Sequence, residues 1–351
     1  MANYSFSDDN HAYQNYSYDY EIPLFYEDDG SVHSHLSPLR VVSLLAYIIV
    51  FLIGIPGNVL VIWMTAFEIK RTVNTTWFLN LAIADIFCCL SLPFLITQLI
   101  MDYHWPFGNV LCKVFYSAKI FNMFASVYLL MVVSIDRCIL VKKPVWGQNK
   151  RTVFLASLVC CVVWILALIM AIPSVVFRHT TNVTTSSKVI CESAKDFSYI
   201  HGNHIAQFIL GFCIPLIVIM VCYSIVMIKV RGSQFSTSRR TYILILSVIV
   251  AFFVCWLPYH LISLSVIIDQ RLFSSKILHV LDNLAQSMAY FNSCINPIIY
   301  VIIGQNFKDK FKKSFRSAFK NMLADDSSHL TISTKTRSKS LMEEKCLHTN
   351  I

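Results

Sequence analysis

Seven long apolar runs, separated by short polar stretches that hold most of the charge, set the pattern of this chain. They cover residues 39–64, 74–101, 109–142, 152–176, 202–232, 239–268 and 276–303. Each exceeds the roughly 20 residues that an α-helix needs to cross about 30 Å of hydrocarbon. Lipid offers a backbone N–H or C=O no outside partner, so all seven runs are predicted to be transmembrane helices. Residues 1–38 and the tail after residue 320 are polar and lie outside this bundle.

Composition names the bilayer as the solvent. Hydrophobic residues make up 56% of the 351 and charged residues only 14%, too apolar a balance for a soluble globule of this length. Orientation follows from the cations. Residues 1–38 contain no Lys or Arg, whereas basic residues gather at Lys70 and Arg71, at Lys142, Lys143, Lys150 and Arg151, at Lys229, Arg231, Arg239 and Arg240, and from Lys308 to Lys320. These groups fall between alternate spans, which puts the N-terminus outside the plasma membrane and the C-terminus in the cytoplasm. The formal charge of +9 is therefore a topology signal, and no nucleic-acid partner is expected. No signal-peptide-like apolar stretch follows Met1, so the first span is expected to direct insertion. Asn3, Asn15 and Asn182 begin outward-facing glycosylation sequons, while Asn74-Thr75-Thr76 lies at the cytoplasmic start of the second span and is expected to stay unmodified.

Most of the 12 cysteines lie within spans, where a thiol packs as a small apolar group. Cys112 opens the third span and Cys191 sits in the loop before the fifth, both on the oxidising side, so a disulfide tethering that loop is expected. Metal-ligand spacing, a phosphate-cradling glycine loop and a nucleophile elbow are all missing, which points away from an enzyme and from a resident cofactor. Polar residues inside spans are costly in hydrocarbon and mark function. Asp85 lies deep in the second span, with Asn58, Asn122, Ser126, Asn292 and Asn296 as candidate neighbours. These oxygens suit an allosteric sodium ion with water; a hydrogen-bonded polar knot without an ion is the alternative. Pro56, Pro93, Pro173, Pro215, Pro258 and Pro297 are expected to kink their helices. A kinked, polar-cored bundle suggests switching, a property that pumps and transporters share.

The motifs resemble the rhodopsin-like G-protein-coupled receptor family over nearly the whole chain. They are Gly57-Asn58-Val59, Leu81 to Asp85, Asp136-Arg137-Cys138, Trp164, Pro215 with Tyr223, Cys255-Trp256-Leu257-Pro258, and Asn296-Pro297-Ile298-Ile299-Tyr300. Phe307 to Phe319 is similar to the family's amphipathic eighth helix, here residues 304–320, whose basic face suits anionic headgroups. The resemblance implies that Asp136 holds Arg137 until the cytoplasmic face opens to a G protein. It also implies that Tyr223 and Tyr300 stabilise the open form, and that Trp256 senses ligand at the pocket floor. Cys138 replaces the commoner tyrosine. Ser238 is not acidic, so no ionic lock from Arg137 to the sixth span is expected and basal activity is expected to be appreciable.

Within the family the chain resembles the chemoattractant branch, and there the complement anaphylatoxin receptors of C5a type, through Trp77 to Leu81, His104 to Gly108, Val145 to Asn149, Leu281 to Leu284 and Ala289 to Pro297. Arg231 to Phe235 and Phe121 to Ser126 resemble the C3a type, and a receptor of formyl-peptide or chemerin type is a further alternative. The N-terminus interleaves Asp8, Asp9, Asp19, Glu21, Glu27, Asp28 and Asp29 with Tyr16, Tyr18, Tyr20 and Tyr26. It reads as a disordered, sulfotyrosine-bearing trap for a basic peptide or protein, or else as a solvated acidic tail. The resemblance places Lys119, Arg178, Gln207, Tyr259 and Asp282 around the pocket. Arg178 and Asp282 match residues that engage a ligand's C-terminal arginine. Gln207 stands where a second arginine is expected and Lys119 where an apolar residue is expected, so Lys119 is expected to take over the carboxylate contact, the alternatives being snorkelling or pairing with Asp282. Ser327, Ser328, Thr331, Ser333, Thr334, Thr336, Ser338 and Ser340 suit receptor kinases and then arrestin, against the plainer reading of a disordered tail. Inhibitory-type G-protein coupling is implied by the family. A scavenging receptor and a transporter remain as rivals, the first weakened by Asp136-Arg137 and the second by the lack of inverted repeats.

Overall fold

The computed structural model describes residues 38–183, 187–193, 197–230, 236–268 and 276–303. The predicted tyrosine sulfation sites, Asn3, Asn15, the eighth helix and the tail phosphorylation sites lie outside the described residues. The rest forms seven helical spans with one β-hairpin.

The first span is α1, Pro38–Trp63, extended by a π-helical turn over Met64–Glu68. The second divides into α2, Val73–Cys89, and α3, Leu92–Ile100. It breaks where predicted, just before Pro93, whose ring cannot continue the preceding hydrogen-bond ladder. A capping box between Thr72 and Thr75 starts α2, satisfying N–H groups that a first turn leaves unpaired. The third span is α4, Gly108–Lys142, followed by the short α5, Pro144–Lys150, and the fourth is α6, Val153–Phe177. The fifth joins α7, Phe197–Phe208, through a π turn at Ile209–Cys213 to α8, Ile214–Val230. The sixth and seventh are α9, Ser236–Ile268, and α10, Lys276–Ile303. All predicted spans are thus helical, as lipid requires.

Among the described residues, six spans are long and apolar enough to cross a membrane. The seventh, α10, is 28 residues long, but Asp282, Asn283, Gln286, Asn292 and Asn296 dilute its apolar content. The bundle is apolar outward, and its interior combines apolar side chains such as Met123, Phe124 and Trp256 with a smaller set of polar ones. Leu52, Val162, Phe154 and Ile217 are more than half exposed or close to it, while Asn58, Asp85, Asn122 and Ser293 are fully buried. Lipid selects the apolar outer face, and the costly polar groups are kept inside. α4 runs through the centre, packing on α2, α6 and α8, and α10 closes the ring between α1 and α9. Gly211, in the π turn, brings the fifth span against α4, because a Cβ there would lie 2.9 Å from Met123 and 3.2 Å from Phe124.

At one end of the bundle β1, Arg178–Asn182, pairs antiparallel with β2, Val189–Ser193. The sequence pattern did not reveal this hairpin. The expected Cys112–Cys191 disulfide is present and ties β2 to the start of α4. Trp105 donates its backbone N–H to Val189 O at 2.7 Å, and Val189 N–H donates to His104 Nδ1 at 3.1 Å. Asp102, in the left-handed backbone region at φ 56°, accepts from Arg40 at 2.7 Å and pairs with Lys188. One carboxylate thus joins the first span, the loop after α3 and the hairpin.

Candidate functional site

The five predicted pocket residues stand at the hairpin end, and four of them belong to one continuous chain of contacts. Lys119 on α4 donates from Nζ to Gln286 Oε1 at 3.2 Å, and Gln286 Nε2 donates to Asp282 Oδ2 at 2.7 Å, one turn earlier on α10. The same ammonium lies 4.5 Å from the ring centroid of Tyr259 on α9, within the range of a cation–π contact. Tyr259 in turn donates its hydroxyl to Gln207 Oε1 on α7 at 3.2 Å. Lys119, Gln207 and Tyr259 are buried, and Asp282 and Gln286 are half-buried. Arg178, the fifth residue, begins β1 with its guanidinium 4.2 Å over the Tyr116 ring. Tyr116 lies one turn before Lys119 and donates to Gln98 Oε1.

Two outcomes differ from the alternatives weighed for Lys119. It neither snorkels to water, being 7% exposed, nor touches Asp282 directly. Gln286 stands between them. Gln286, Tyr116 and Gln98 escaped the sequence reading, although the i, i+4 spacing of Asp282 and Gln286 on one helix face was available.

Beneath this layer lies an aromatic stack. Tyr259 packs edge-on against Trp256 with ring centroids 5.7 Å apart, and Trp256 against Phe252 at 6.1 Å. His260 fills the space between Trp256, Phe208 and Phe212. Trp256 is wholly buried and lies behind Tyr259 from Lys119.

Mid-bundle, the predicted polar cluster assembles. Asn296 donates to Asp85 Oδ2 at 2.8 Å, Ser126 donates to Asn122 Oδ1 at 3.3 Å, and Asn122 donates to Ser293 Oγ at 3.1 Å. Asn58 donates to Gly54 O and Ser293 O at 2.9 and 2.7 Å. Ser293, missed in the sequence, is the bridge between α1, α4 and α10. Asn292 is buried one turn before Asn296 and makes no side-chain hydrogen bond among the described residues.

At the opposite end Asp136 and Arg137 form the expected ion pair, at 3.2 Å. Asp136 is held more closely by Arg151, at 2.7 and 2.9 Å through both carboxylate oxygens. Asn74 Oδ1 accepts from Arg137 and from Arg151. Asn74, noted in the sequence only as an unused sequon, therefore helps to hold both guanidiniums. Ser238 has its side chain outside the described residues. Tyr223 is buried with its hydroxyl unbonded among the described residues, so no hydrogen bond joins it to Tyr300. Tyr300 instead packs on Phe78 at 4.8 Å and, with Trp77, Leu81, Leu130, Val133 and Ile245, lines an apolar cavity. Pro258 and Pro297 lie within α9 and α10.

Residues 57–300 match the family described as 7 transmembrane receptor (rhodopsin family). A C3a anaphylatoxin chemotactic receptor of Danio rerio is 40% identical over 326 residues, covering 93% of this chain and 89% of that protein. A C5a anaphylatoxin chemotactic receptor 1 of Pan troglodytes is 39% identical over 327 residues, 89% of this chain and 93% of that protein. Its Homo sapiens counterpart is 40% identical over 297 residues, 82% and 84% of the two chains. These relatives are receptors and not enzymes. Seven helical spans, a disulfide-anchored hairpin beside a charged cluster, a buried polar knot and an Asp-Arg pair at the far end all lie in a chain that belongs to the rhodopsin family of seven-transmembrane receptors.

Proposed function

We propose that this chain is a plasma-membrane receptor for a complement anaphylatoxin, of C5a type, with its hairpin end extracellular and its Asp136-Arg137 end facing an inhibitory-type G protein. The observation that carries the ligand class is the linked set of Lys119, Gln286, Asp282 and Tyr259. A cation and an anion lie at separate points of one linked cluster, the cation in contact with Tyr259 of the aromatic stack that includes Trp256.

A basic ligand is drawn first to the acidic N-terminus, where sulfation of Tyr16, Tyr18, Tyr20 and Tyr26 adds charge. Its C-terminal segment then enters the pocket. A terminal carboxylate takes Lys119 and Arg178, and a terminal guanidinium takes Asp282, as charge-assisted hydrogen bonds. Displacing the Lys119 ammonium from the Tyr259 face alters the packing on Trp256. The ligand shifts the equilibrium to the open cytoplasmic packing only by its differential affinity for that packing. In the open packing Arg137 leaves Asp136 and Asn74 for the G protein, and Tyr223 and Tyr300 approach each other. Chemotaxis and inflammatory activation follow. Receptor kinases acting on Ser327 to Ser340 and then arrestin end the signal.

The decisive experiment is G-protein activation in cells expressing this chain, with C5a, C3a and a formyl peptide side by side. C5a is expected to act at concentrations at least tenfold below those of C3a, with no response to formyl peptide. The reverse order would assign the C3a ligand, a reading favoured by the extent of the match to the C3a receptors. Binding and internalisation without activation would make the chain a scavenger. Lys119→Met is expected to lower potency for a ligand with a free C-terminal carboxylate about 10- to 100-fold, the equivalent of one charge-assisted hydrogen bond of about 1.5–3 kcal/mol. An amidated ligand should lose little. Unchanged potency of the free acid at normal surface expression would remove Lys119 from the ligand contacts.

The mid-bundle cluster suits a sodium ion. Asp85 Oδ1, Asn58 Oδ1, Asn292 Oδ1 and Asn296 Oδ1 are buried oxygens without hydrogen bonds among the described residues, the hard donor type that such an ion takes. Bound there, sodium supplies a counter-charge for Asp85. If it favours the closed packing, linkage requires that it weaken an agonist that favours the open one. Agonist affinity is expected to fall several-fold between sodium-free buffer and about 150 mM sodium, a salt level at which exposed charges are largely screened. Potassium serves as the control. Asp85→Asn should abolish the difference, and its persistence would leave the cluster as a polar knot.

A further inference from the structure

The pocket holds charges of both signs that do not touch. Lys119 and Asp282 are each hydrogen-bonded to Gln286, to opposite ends of the same carboxamide, at 3.2 and 2.7 Å. A carboxamide accepts at its oxygen and donates at its nitrogen. It can therefore satisfy an ammonium and a carboxylate together while keeping them the width of an amide apart. The separation has a consequence because Lys119 is buried. A direct ion pair at that depth, in a medium of low effective dielectric, would be strong. A ligand would then have to break it before using either charge.

We infer that Gln286 is a specificity-determining spacer, which holds Lys119 and Asp282 as two separate docking points and so selects a ligand terminus carrying both a cation and a carboxylate. This rests on the reading of Lys119 and Asp282 as ligand contacts. On binding, the ligand's carboxylate replaces the Gln286 oxygen at Lys119, and its guanidinium or ammonium replaces the Gln286 nitrogen at Asp282. Both exchanges substitute a doubly charged hydrogen bond for one with a neutral partner, which favours the ligand. A ligand with only one of the two charges makes one exchange and leaves the other half of the relay in place.

Concentration–response curves for an arginine-ended ligand, as free acid and as C-terminal amide, test this in wild type, Gln286→Met, Lys119→Met and the double variant, each scaled to surface expression. Gln286→Met is close to isosteric and lets Lys119 close on Asp282. It is expected to lower free-acid potency tenfold or more. The double variant should be no weaker than Lys119→Met alone, because no ammonium remains to close on the carboxylate. Gln286→Glu, which keeps the shape, should give the same loss by pairing with Lys119 itself. Losses that multiply in the double variant would overturn the spacer and make Gln286 a ligand contact or a packing residue, as would a Gln286→Met receptor of wild-type potency. A wild-type receptor that treats acid and amide alike would overturn the underlying assignment of Lys119, a distinct outcome read in the first curve.

Discussion

Serine in place of Cys112 or Cys191 is expected to abolish nearly all ligand response and to lower the amount of receptor at the surface. The bridge spans 79 residues with its Cα atoms 5.7 Å apart. In a free chain, closing a loop of that size is worth about 4.5 kcal/mol by the loop-entropy account. The bilayer already confines α4 and α6, so the larger effect is local. Cys191 pairs with Thr180 across the hairpin, and Arg178 pairs with Ser193 at the same strand ends. Anchoring Cys191 to α4 therefore sets where Arg178 lies over Tyr116, on the helix that also presents Lys119. Radioligand binding per surface receptor, counted through an N-terminal epitope tag, should show an affinity loss of about 100-fold, equivalent to about 2.8 kcal/mol. Wild-type affinity per surface receptor would mean that the Trp105 N–H to Val189 O bond, the Val189 N–H to His104 Nδ1 bond and the Asp102–Lys188 pair hold the hairpin without the disulfide.

Neutralising Asp136 is expected to have the second large effect, a several-fold rise in signalling without ligand. Asp136 and the Asn74 oxygen are shared by two guanidiniums, those of Arg137 and Arg151. Arg137 is 7% exposed. Removing the carboxylate by Asp136→Asn leaves two cations facing each other in a buried setting, where breaking a pair costs about 3–5 kcal/mol. On the proposed mechanism the open packing relieves that cost by releasing Arg137 toward solvent and the G protein. A shift of a few kcal/mol is enough to move a minor state into the majority. Arg151→Gln acts in the opposite direction, because it leaves Asp136 to Arg137 alone, and basal signal should fall. Arg137→Ala should be silent with and without ligand while still binding it. Nucleotide exchange on a purified G protein, scaled to surface receptor, reads all three. A basal rate in Asp136→Asn at or below wild type would show that Arg151 and Asn74 suffice to hold the closed form.

How much of this was legible depends on what the bilayer enforces. The seven runs stood out because a spanning segment must be long, apolar and helical, and the helix ends lie close to those expected: 39–64 against Pro38–Trp63 and its π turn, and 276–303 against Lys276–Ile303. Asp85, Asn122 and Asn296 were equally visible, since a carboxylate or carboxamide is rarely tolerated in hydrocarbon without a task. Ser293 was not, because a serine in a span can bond to its own helix and so carries little signal. The hairpin at Arg178–Ser193 has no apolar periodicity to announce it. Arg151 was counted as one more topology cation. Its bond to Asp136 requires the chain to turn through α5 and return, a path that no local pattern encodes.

Charge placement and hydropathy, read along the chain, determined that this protein crosses the membrane seven times, where its spans begin and end, and which polar residues lie inside it, while the receptor reading came from the resemblance of its motifs to a known family. The physical reason is that lipid acts on each segment separately, and each must satisfy its own backbone. Pairings between segments belong to the tertiary structure alone: Gln286 between Lys119 and Asp282, Ser293 among three helices, and Arg151 and Asn74 around Asp136. Those depend on the rotation and depth of each helix against its neighbours, which side-chain packing across the whole bundle decides.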